Sequence, residues 1–162
     1  MQISHKCSIA IHCLIFIHEY GKENKVTSEL LALSTGCNPV TVRNILSAMK
    51  KAGIISVRFG TGGATLAMPC QDISLYRICS AVDPEAIDKM IRVHPSPSAF
   101  CPVGRNIGDV LEHTYAALKE SVTAGMKAIT LESMVNDYHA LLDGEESEGS
   151  RQANRKHPPH DG

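Results

Sequence analysis

Basic and polar side chains recur at helical spacing between residues 39 and 51, and their chemistry suits a nucleic acid. The outward-facing members of this set are Thr41, Arg43, Asn44, Ser47, Lys50 and Lys51, and no acid of the same helix accompanies them. An arginine on the outer first turns of a helix can hold the O6 and N7 atoms of a guanine bidentately. The amide, hydroxyl and ammonium groups beyond Arg43 are better placed for phosphate oxygens. The pattern therefore predicts a face that contacts duplex DNA.

The helix that presents this face has clear start and core signals. Asn38 can accept a backbone N–H as an N-cap, and Pro39 fits the first helical position because its missing N–H has no partner there. Apolar residues at i, i+3, i+4 and i+7 predict the side that packs on a core. They are Val42, Ile45, Leu46 and Met49.

A glycine-rich hairpin follows the helix. Gly53 ends the helix, residues 54–57 are β-branched and apolar, and residues 64–68 are predicted to return as a second strand. The turn between the strands contains Thr61 and Gly62, with Arg58 at its base. Glycines at such a tip allow close backbone approach, so Arg58, Thr61 and Gly62 join the predicted DNA-binding residues.

Another helix precedes the basic one. Thr27 can cap a helix over residues 28–34, and a three-residue turn then leads to Asn38, which is the connection of a helix-turn-helix. With the hairpin as a wing, the chain is predicted to be mainly α with a small β-hairpin, and residues 1–83 to form a winged helix-turn-helix DNA-binding domain. A winged-helix module that binds protein has the same elements and stays open as an alternative.

Charge and composition favour duplex DNA as the partner. Residues 1–68 contain 7 Lys and Arg against 3 Asp and Glu, although the whole chain contains 16 against 17. Aromatic residues make up 4% with no Trp, so the surface that stacks single strands is missing. An apolar run of membrane length and a signal-peptide pattern are also missing from the sequence, which predicts a cytoplasmic protein with no membrane partner. Phosphate-loop and Ser-His-Asp patterns do not occur, so an enzyme is not predicted.

The C-terminal half predicts a means of pairing two chains. Residues 84–104 read as an irregular connector, an effector or sensor loop, and apolar residues then step by three and four from Arg105 to Ile129. A helix of that length is too long for so small a domain to bury, which predicts a homodimer. A last helix over 131–142 completes a dimerisation region at 105–142. The polar residues 143–162 are predicted to form a disordered tail.

These motifs resemble the Rrf-two family of bacterial winged-helix transcription regulators. The similarity extends from Met1 to about Tyr138 and rests on three segments: AGII at residues 52–55, VRFGTGG at 57–63 and DISLYRICSAV at 72–82. The segments NPVTVRNIL and CPVGRNI resemble the YwnA-like subgroup, which lacks an iron–sulfur cluster. The resemblance implies base reading by Val40, Thr41 and Arg43 and minor-groove insertion of Arg58. Phe59 and Ala64 depart from the commoner wing.

The connector also departs from the cluster-binding members of the family. By the resemblance, the cluster-binding members have three cysteines in this connector as iron ligands. The connector of this chain has Cys101 alone, flanked by His94 and His113. No cofactor and no metal site are therefore predicted. Cys101 lies just before the long helix and four residues before Arg105, where a helix dipole and a cation favour a thiolate. It is a candidate redox sensor, and the alternative is a structural cysteine under the connector.

The sequence thus predicts a transcription regulator, a repressor that binds a pseudo-palindromic operator as a homodimer. Two alternatives stay open. One is a winged-helix module that docks on an enzyme of sulfur or cysteine metabolism, as the resemblance suggests. The other is a thiol-based redox-sensing regulator that acts through Cys101. The small-molecule or redox effector is not indicated by any motif.

Overall fold

Side-chain caps define where the helices of the N-terminal half begin. The computed structural model describes residues 4–58 and 63–155, with side chains up to residue 145. The Asn38 side chain accepts the Val40 N–H at 2.8 Å, and Thr27 Oγ1 accepts the Leu30 N–H at 3.2 Å. The predicted start of the basic helix at Pro39 is confirmed. The helices of this half are α1 His5–Tyr20, α2 Ser28–Thr35 and α3 Pro39–Lys51.

A two-stranded antiparallel hairpin follows α3. Strand β1 is Ile55–Arg58 and strand β2 is Gly63–Leu66, with Val57 opposite Ala64 and Arg58 opposite Gly63. The Ala64 N–H donates to the Val26 carbonyl at 2.9 Å, which ties β2 to the residue that precedes the Thr27 cap. Predicted turn residues Thr61 and Gly62 lie outside the described residues. The predicted class, mainly α with a small hairpin, is confirmed.

Four more helices complete the described chain. A short 3-10 turn, Cys70–Asp72, leads into α4 Leu75–Val82, which is followed by α5 Ala86–Met90, α6 Pro102–Ala128 and α7 Leu131–Arg155. Two backbone hydrogen bonds join the start of α4 to the α6–α7 junction: Leu75 N–H to the Ile129 carbonyl and Leu131 N–H to the Ile73 carbonyl, both 2.8 Å. We call this pairing the 74–130 seam, after the bridge between Ser74 and Thr130.

The core is built around α1, which contacts α3, α4, α7 and the hairpin. Its inward face contains Cys7, Cys13, Leu14 and Ile17, all at most 2% exposed. Cys7, Cys13 and Cys79 are all buried, so these three thiols belong to the core. Burial raises the pKa of Cys13 to about 12, so this thiol is protonated at neutral pH.

The C-terminal half differs from its prediction in three places. The connector contains a helix, α5, stabilised where the Lys89 ammonium donates to Asp83 at 3.0 Å and lies 3.2 Å from Glu85. Helix α6 begins at Pro102 and not at Arg105, because proline is favourable at the first helical position. Helix α7 continues to Arg155, so its predicted end at residue 142 is wrong and the helix includes residues 143–155 of the predicted tail. That segment contains helix-forming Glu, Gln, Ala and Arg and no proline. Residues 156–162 lie outside the described part.

The membrane prediction can be compared with the helices themselves. Within residues 4–58 and 63–155, none of the helices combines the length and the apolar character needed to cross a bilayer.

Gly63 is the glycine on which the base of the wing depends. Its φ is +89°, and a Cβ there would lie 2.8 Å from both the nitrogen and the oxygen of Val26. We therefore expect Gly63→Ala to lower the free energy of unfolding by about 2 kcal/mol or more in urea titrations, from left-handed strain plus a backbone clash. Gly36→Ala is the matched control, because Gly36 also has positive φ but has open space around its Cβ position. The control should cost about 1 kcal/mol, and equal losses for the two variants would contradict the clash.

Candidate DNA interface

Helix α3 presents the predicted polar face to solvent. Val42, Ile45 and Met49 are buried and Leu46 is half-buried, so the opposite side of the helix points outward. The exposed residues of that side are Val40, Arg43, Asn44, Ser47, Lys50 and Lys51. Thr41 is half-buried at the edge of the face. The α3 cap and its apolar stripe thus aim the basic residues away from the core.

Helical spacing divides this face into two adjoining stripes. Arg43, Ser47 and Lys50 follow each other at i, i+4 and i+7 on the side of the hairpin. The second stripe has the same spacing and contains Val40, Asn44, Ser47 and Lys51. Ser47 belongs to both, which places it at the centre of the exposed surface.

A groove of about 410 Å³ lies between the start of α2, the outer face of α3 and the base of the wing. We call it the reading groove. It is lined by Arg43, Ser47 and Lys50 from α3 and by Arg58 from β1, with Gly63 at its wing end. Arg43 and Arg58, which are 15 positions apart in sequence, therefore share one concave, positively charged surface. Thr61 and Gly62, predicted at the same wing, are outside the described residues.

The structure adds an acid to this surface. Glu29, in the first turn of α2, lines the reading groove and accepts a hydrogen bond from Arg43 Nη2 at 3.3 Å. The backbone N–H of Glu29, the Ser28 hydroxyl and the Arg43 guanidinium hold the pKa of the Glu29 carboxyl below its ordinary value. The side chains of Arg43 and Glu29 are 57% and 64% exposed, so both are open to a ligand.

Sequence reasoning missed Glu29 because it judged the charge of α3 by itself. The signal was the position of the acid two residues after the Thr27 cap, in the helix that must cross α3 in a helix-turn-helix. The expectation of an acid-free reading face is therefore wrong for the assembled surface, although it holds for α3 alone.

A wing hairpin behind a basic recognition helix defines the class of this protein, a winged helix-turn-helix DNA-binding regulator. A model of the Rrf2 family, described as an iron-dependent transcriptional regulator, matches residues 3–137. The chain therefore belongs to the Rrf2 family, the Rrf-two regulators that its motifs resemble. This is a family of transcriptional regulators and not of enzymes.

Individual relatives agree with the family. The chain is 33% identical over 134 residues to YwnA of Bacillus subtilis (strain 168), named as a candidate HTH-type transcriptional regulator, covering 83% of this chain and 97% of YwnA. A crystal structure of a candidate DNA-binding protein is 31% identical with a TM-score of 0.63, over 80% of this chain and 97% of that one. A candidate transcriptional regulator from Lactobacillus plantarum is 26% identical with a TM-score of 0.66, over 88% and 97%.

The iron dependence in the family description can be tested against the donor groups of this chain. Cys101 is the one cysteine of connector residues 84–104, and it is exposed as the N-cap of α6. His94 and His113 are exposed as well. Among the described residues, His, Cys, Asp and Glu form no group of three that could hold a metal ion. The donor set of the connector therefore does not fit an iron–sulfur cluster, which needs several thiolates together.

Proposed function

We propose that this protein is a sequence-specific repressor that binds a pseudo-palindromic operator in duplex DNA as a homodimer. The observation that carries the proposal is the reading groove, where Arg43 of the recognition helix and Arg58 of the wing line one cationic surface. A recognition helix and a wing that line the same groove can contact a major groove and the neighbouring minor groove at the same time. With chromosomal DNA as the partner, the proposed action is in the bacterial cytoplasm.

The proposed roles follow the exposure of each side chain. Arg43 reads a guanine edge, and Val40 and Thr41 contact bases from the first turn of α3. Arg58 enters the minor groove from the wing. Thr61 and Gly62 are proposed as further DNA contacts on the basis of their position in the sequence. The remaining residues of the α3 face bind phosphates and set the register on the duplex. They are Asn44, Ser47, Lys50 and Lys51.

The homodimer is supported by apolar surface on α6. This helix has 27 residues, about 40 Å at 1.5 Å per residue, and it packs against α4 and α5. Val103, Val110 and Leu118 of α6 are nevertheless 69%, 66% and 46% exposed. Burying that stripe against a second copy removes apolar area from water and sets two reading grooves at a fixed separation.

We also propose that the protein works without an iron–sulfur cluster or another resident metal. The support is the donor set described above, in which Cys101 faces solvent without further cysteines in its connector. A repressor of this kind needs no cofactor to occupy its operator.

Selection of bound sites from random duplexes tests the proposal directly. The expected result is an enriched inverted repeat whose half-site centres lie about one helical turn, or a whole number of turns, apart. An enriched single half-site would contradict the dimer. No enrichment, with binding to a protein partner that survives high salt, would instead favour the winged-helix interaction module.

The Glu29 carboxylate is expected to have two effects: it repels DNA phosphates and it holds Arg43 in position for base reading. Glu29→Gln tests both. Removal of its charge is expected to raise affinity for random duplex several-fold, because a carboxylate next to phosphates is repulsive. Loss of its hold on Arg43 is expected to lower discrimination at the guanine several-fold. Competition binding to operator and random duplex measures both quantities.

Glu23→Gln is the matched control for that experiment, because Glu23 is an exposed acid of the same charged half, in the loop before α2. It should leave discrimination unchanged. If Glu23→Gln and Glu29→Gln alter discrimination equally, the Arg43 contact has no part in base reading.

A further inference from the structure

A thiol, two imidazoles and a carboxylate meet outside the reading groove. Cys70 Sγ lies 3.1 Å from His18 Nδ1. The other ring nitrogen of His18 lies 3.9 Å from the Glu19 carboxylate, and His139 Nε2 donates to the same carboxylate oxygen at 2.9 Å. The groups come from the Cys70–Asp72 turn, α1 and α7. We call them the thiol cluster.

The geometry of the thiol cluster favours one arrangement of protons. Nδ1 of His18 accepts from the Cys70 thiol, which leaves the ring hydrogen on Nε2, on the side of the Glu19 carboxylate. A nucleophile and a base are therefore in hydrogen-bond contact. The Glu19 carboxylate is 3.9 Å from the other nitrogen of the base, beyond hydrogen-bond distance, and acts on it through its charge. Burial raises the pKa of Cys70, and the Glu132 carboxylate adds to this, with Lys22 as a partial offset. The sulfur thus rests as a thiol and depends on His18 to accept its proton.

The thiol cluster opens into a cavity of about 390 Å³. Leu66, Met68 and Val135 give the cavity an apolar side, and Lys22, Gln71 and Asn136 give it a polar one. The apolar side suits a small carbon skeleton, while an ammonium or amide N–H can stabilise negative charge that develops on an oxygen. The volume and this division of the walls suit a small unsaturated carbonyl compound.

We propose that Cys70 is a modification site for small α,β-unsaturated carbonyl compounds, with His18 as the general base, and that its modification weakens DNA binding. Cys70 Sγ forms a bond to the β-carbon while its proton passes to His18 Nδ1. The electron pair of the carbon–carbon double bond moves to give an enolate. His18 then returns the proton to the α-carbon, so the product is a neutral thioether and His18 is regenerated.

The position of Cys70 provides the link to DNA. Cys70 follows β2 by four residues and precedes Ile73, whose carbonyl is part of the 74–130 seam. Leu66 of the wing strand and Val135 of α7 both line the cavity, so an adduct there contacts both elements and changes how the wing strand packs against α7. This part of the proposal rests on the DNA-binding function proposed above.

Labelling with N-ethylmaleimide, itself an α,β-unsaturated carbonyl compound, tests the site on the full chain. Peptide mapping by mass spectrometry follows Cys70 and the exposed Cys101 in the same sample, so Cys101 is an internal reference. We expect His18→Gln to slow labelling of Cys70 at least tenfold relative to Cys101. His12→Gln is the matched control, because His12 lies on the same helix but is hydrogen-bonded to Ser34 at 2.9 Å; it should leave the ratio unchanged.

Equal or faster labelling of Cys70 in His18→Gln would overturn the role of His18 as general base. If Cys70 stays unlabelled after Cys101 is fully labelled, Cys70 is not the modification site. Operator affinity tests the second half: labelled wild type and labelled Cys101→Ser should both bind at least tenfold more weakly, whereas Cys70→Ser should be unaffected by the reagent. Labelled protein with unchanged affinity would overturn the regulatory role. An unlabelled protein with no operator preference would instead refute the proposed function and leave the labelling result standing.

Discussion

Replacing Arg43 by alanine is expected to reduce discrimination at one guanine of each half-site by about tenfold to a hundredfold. The physical reason is the loss of a bidentate contact to guanine O6 and N7, worth about 1–3 kcal/mol. Arg43 is exposed on the outer face of α3 and lines the reading groove, so its removal leaves the core intact. Fluorescence anisotropy with the selected operator and with a duplex changed at that base pair measures the ratio.

Lys51→Ala is the control for Arg43→Ala because Lys51 is an exposed cation on the last turn of the same helix. It should weaken binding to every duplex about equally. The slope of the logarithm of the binding constant against the logarithm of salt concentration should fall by about one unit, the loss of one phosphate contact. If Arg43→Ala behaves in the same way, with no change in base preference, then Arg43 binds phosphate and the assignment of the specificity residue is wrong.

A double change, Val110→Glu with Leu118→Glu, is expected to give a folded monomer that binds the operator at least a hundredfold more weakly. Val110 and Leu118 are 66% and 46% exposed on α6, so both positions can hold a charge that reaches solvent in the single chain. A second copy would have to bury them without partners, which is costly. Loss of pairing removes the gain in affinity that comes from binding two half-sites at once.

Sedimentation gives the oligomeric state of this variant, and anisotropy gives its affinity for the operator and for one half-site. Ala116→Glu is the matched control, since Ala116 is exposed on the side of α6 that already contains Asp109, Glu112 and Glu120. It should remain dimeric. A double variant that stays dimeric and binds normally would show that the exposed apolar residues of α6 are not the interface.

Local signals predicted the parts of the fold that local interactions determine. Asn38 and Pro39 locate the start of α3 because a cap hydrogen bond and a fixed φ need no distant partner. The apolar stripe from Val42 to Met49 also faces the core as predicted. The predicted end of α7 is too early because polar composition conceals the helix propensity of the segment that follows. Helix α5 is absent from the prediction because it has only five residues and follows Asp83-Pro84, which is a helix-ending pattern, although Glu85 and Lys89 have the i,i+4 spacing of a helical ion pair.

The sequence predicts which residues of the candidate site are exposed, but it does not predict that they line one groove. The exposure of Arg43 and Arg58 follows from the pattern of each element, whereas their common groove depends on how the hairpin packs beside α2. Glu29 and the Cys70–His18 pair belong to the same category, since their partners lie 14 and 52 positions away in sequence. Such contacts are set by tertiary packing, which no single window of sequence contains.

The 74–130 seam has a consequence for the operators that relatives of this chain can use. Its two 2.8 Å backbone hydrogen bonds fix the wing-bearing domain to the end of α6. The connector of residues 84–104 is a second, separate link, which joins the end of α4 to the start of α6. In a dimer paired through α6, the connector can therefore lengthen, shorten or acquire a new sensor without altering the distance between half-sites. Operator geometry and signal recognition can then evolve as independent variables within one chain.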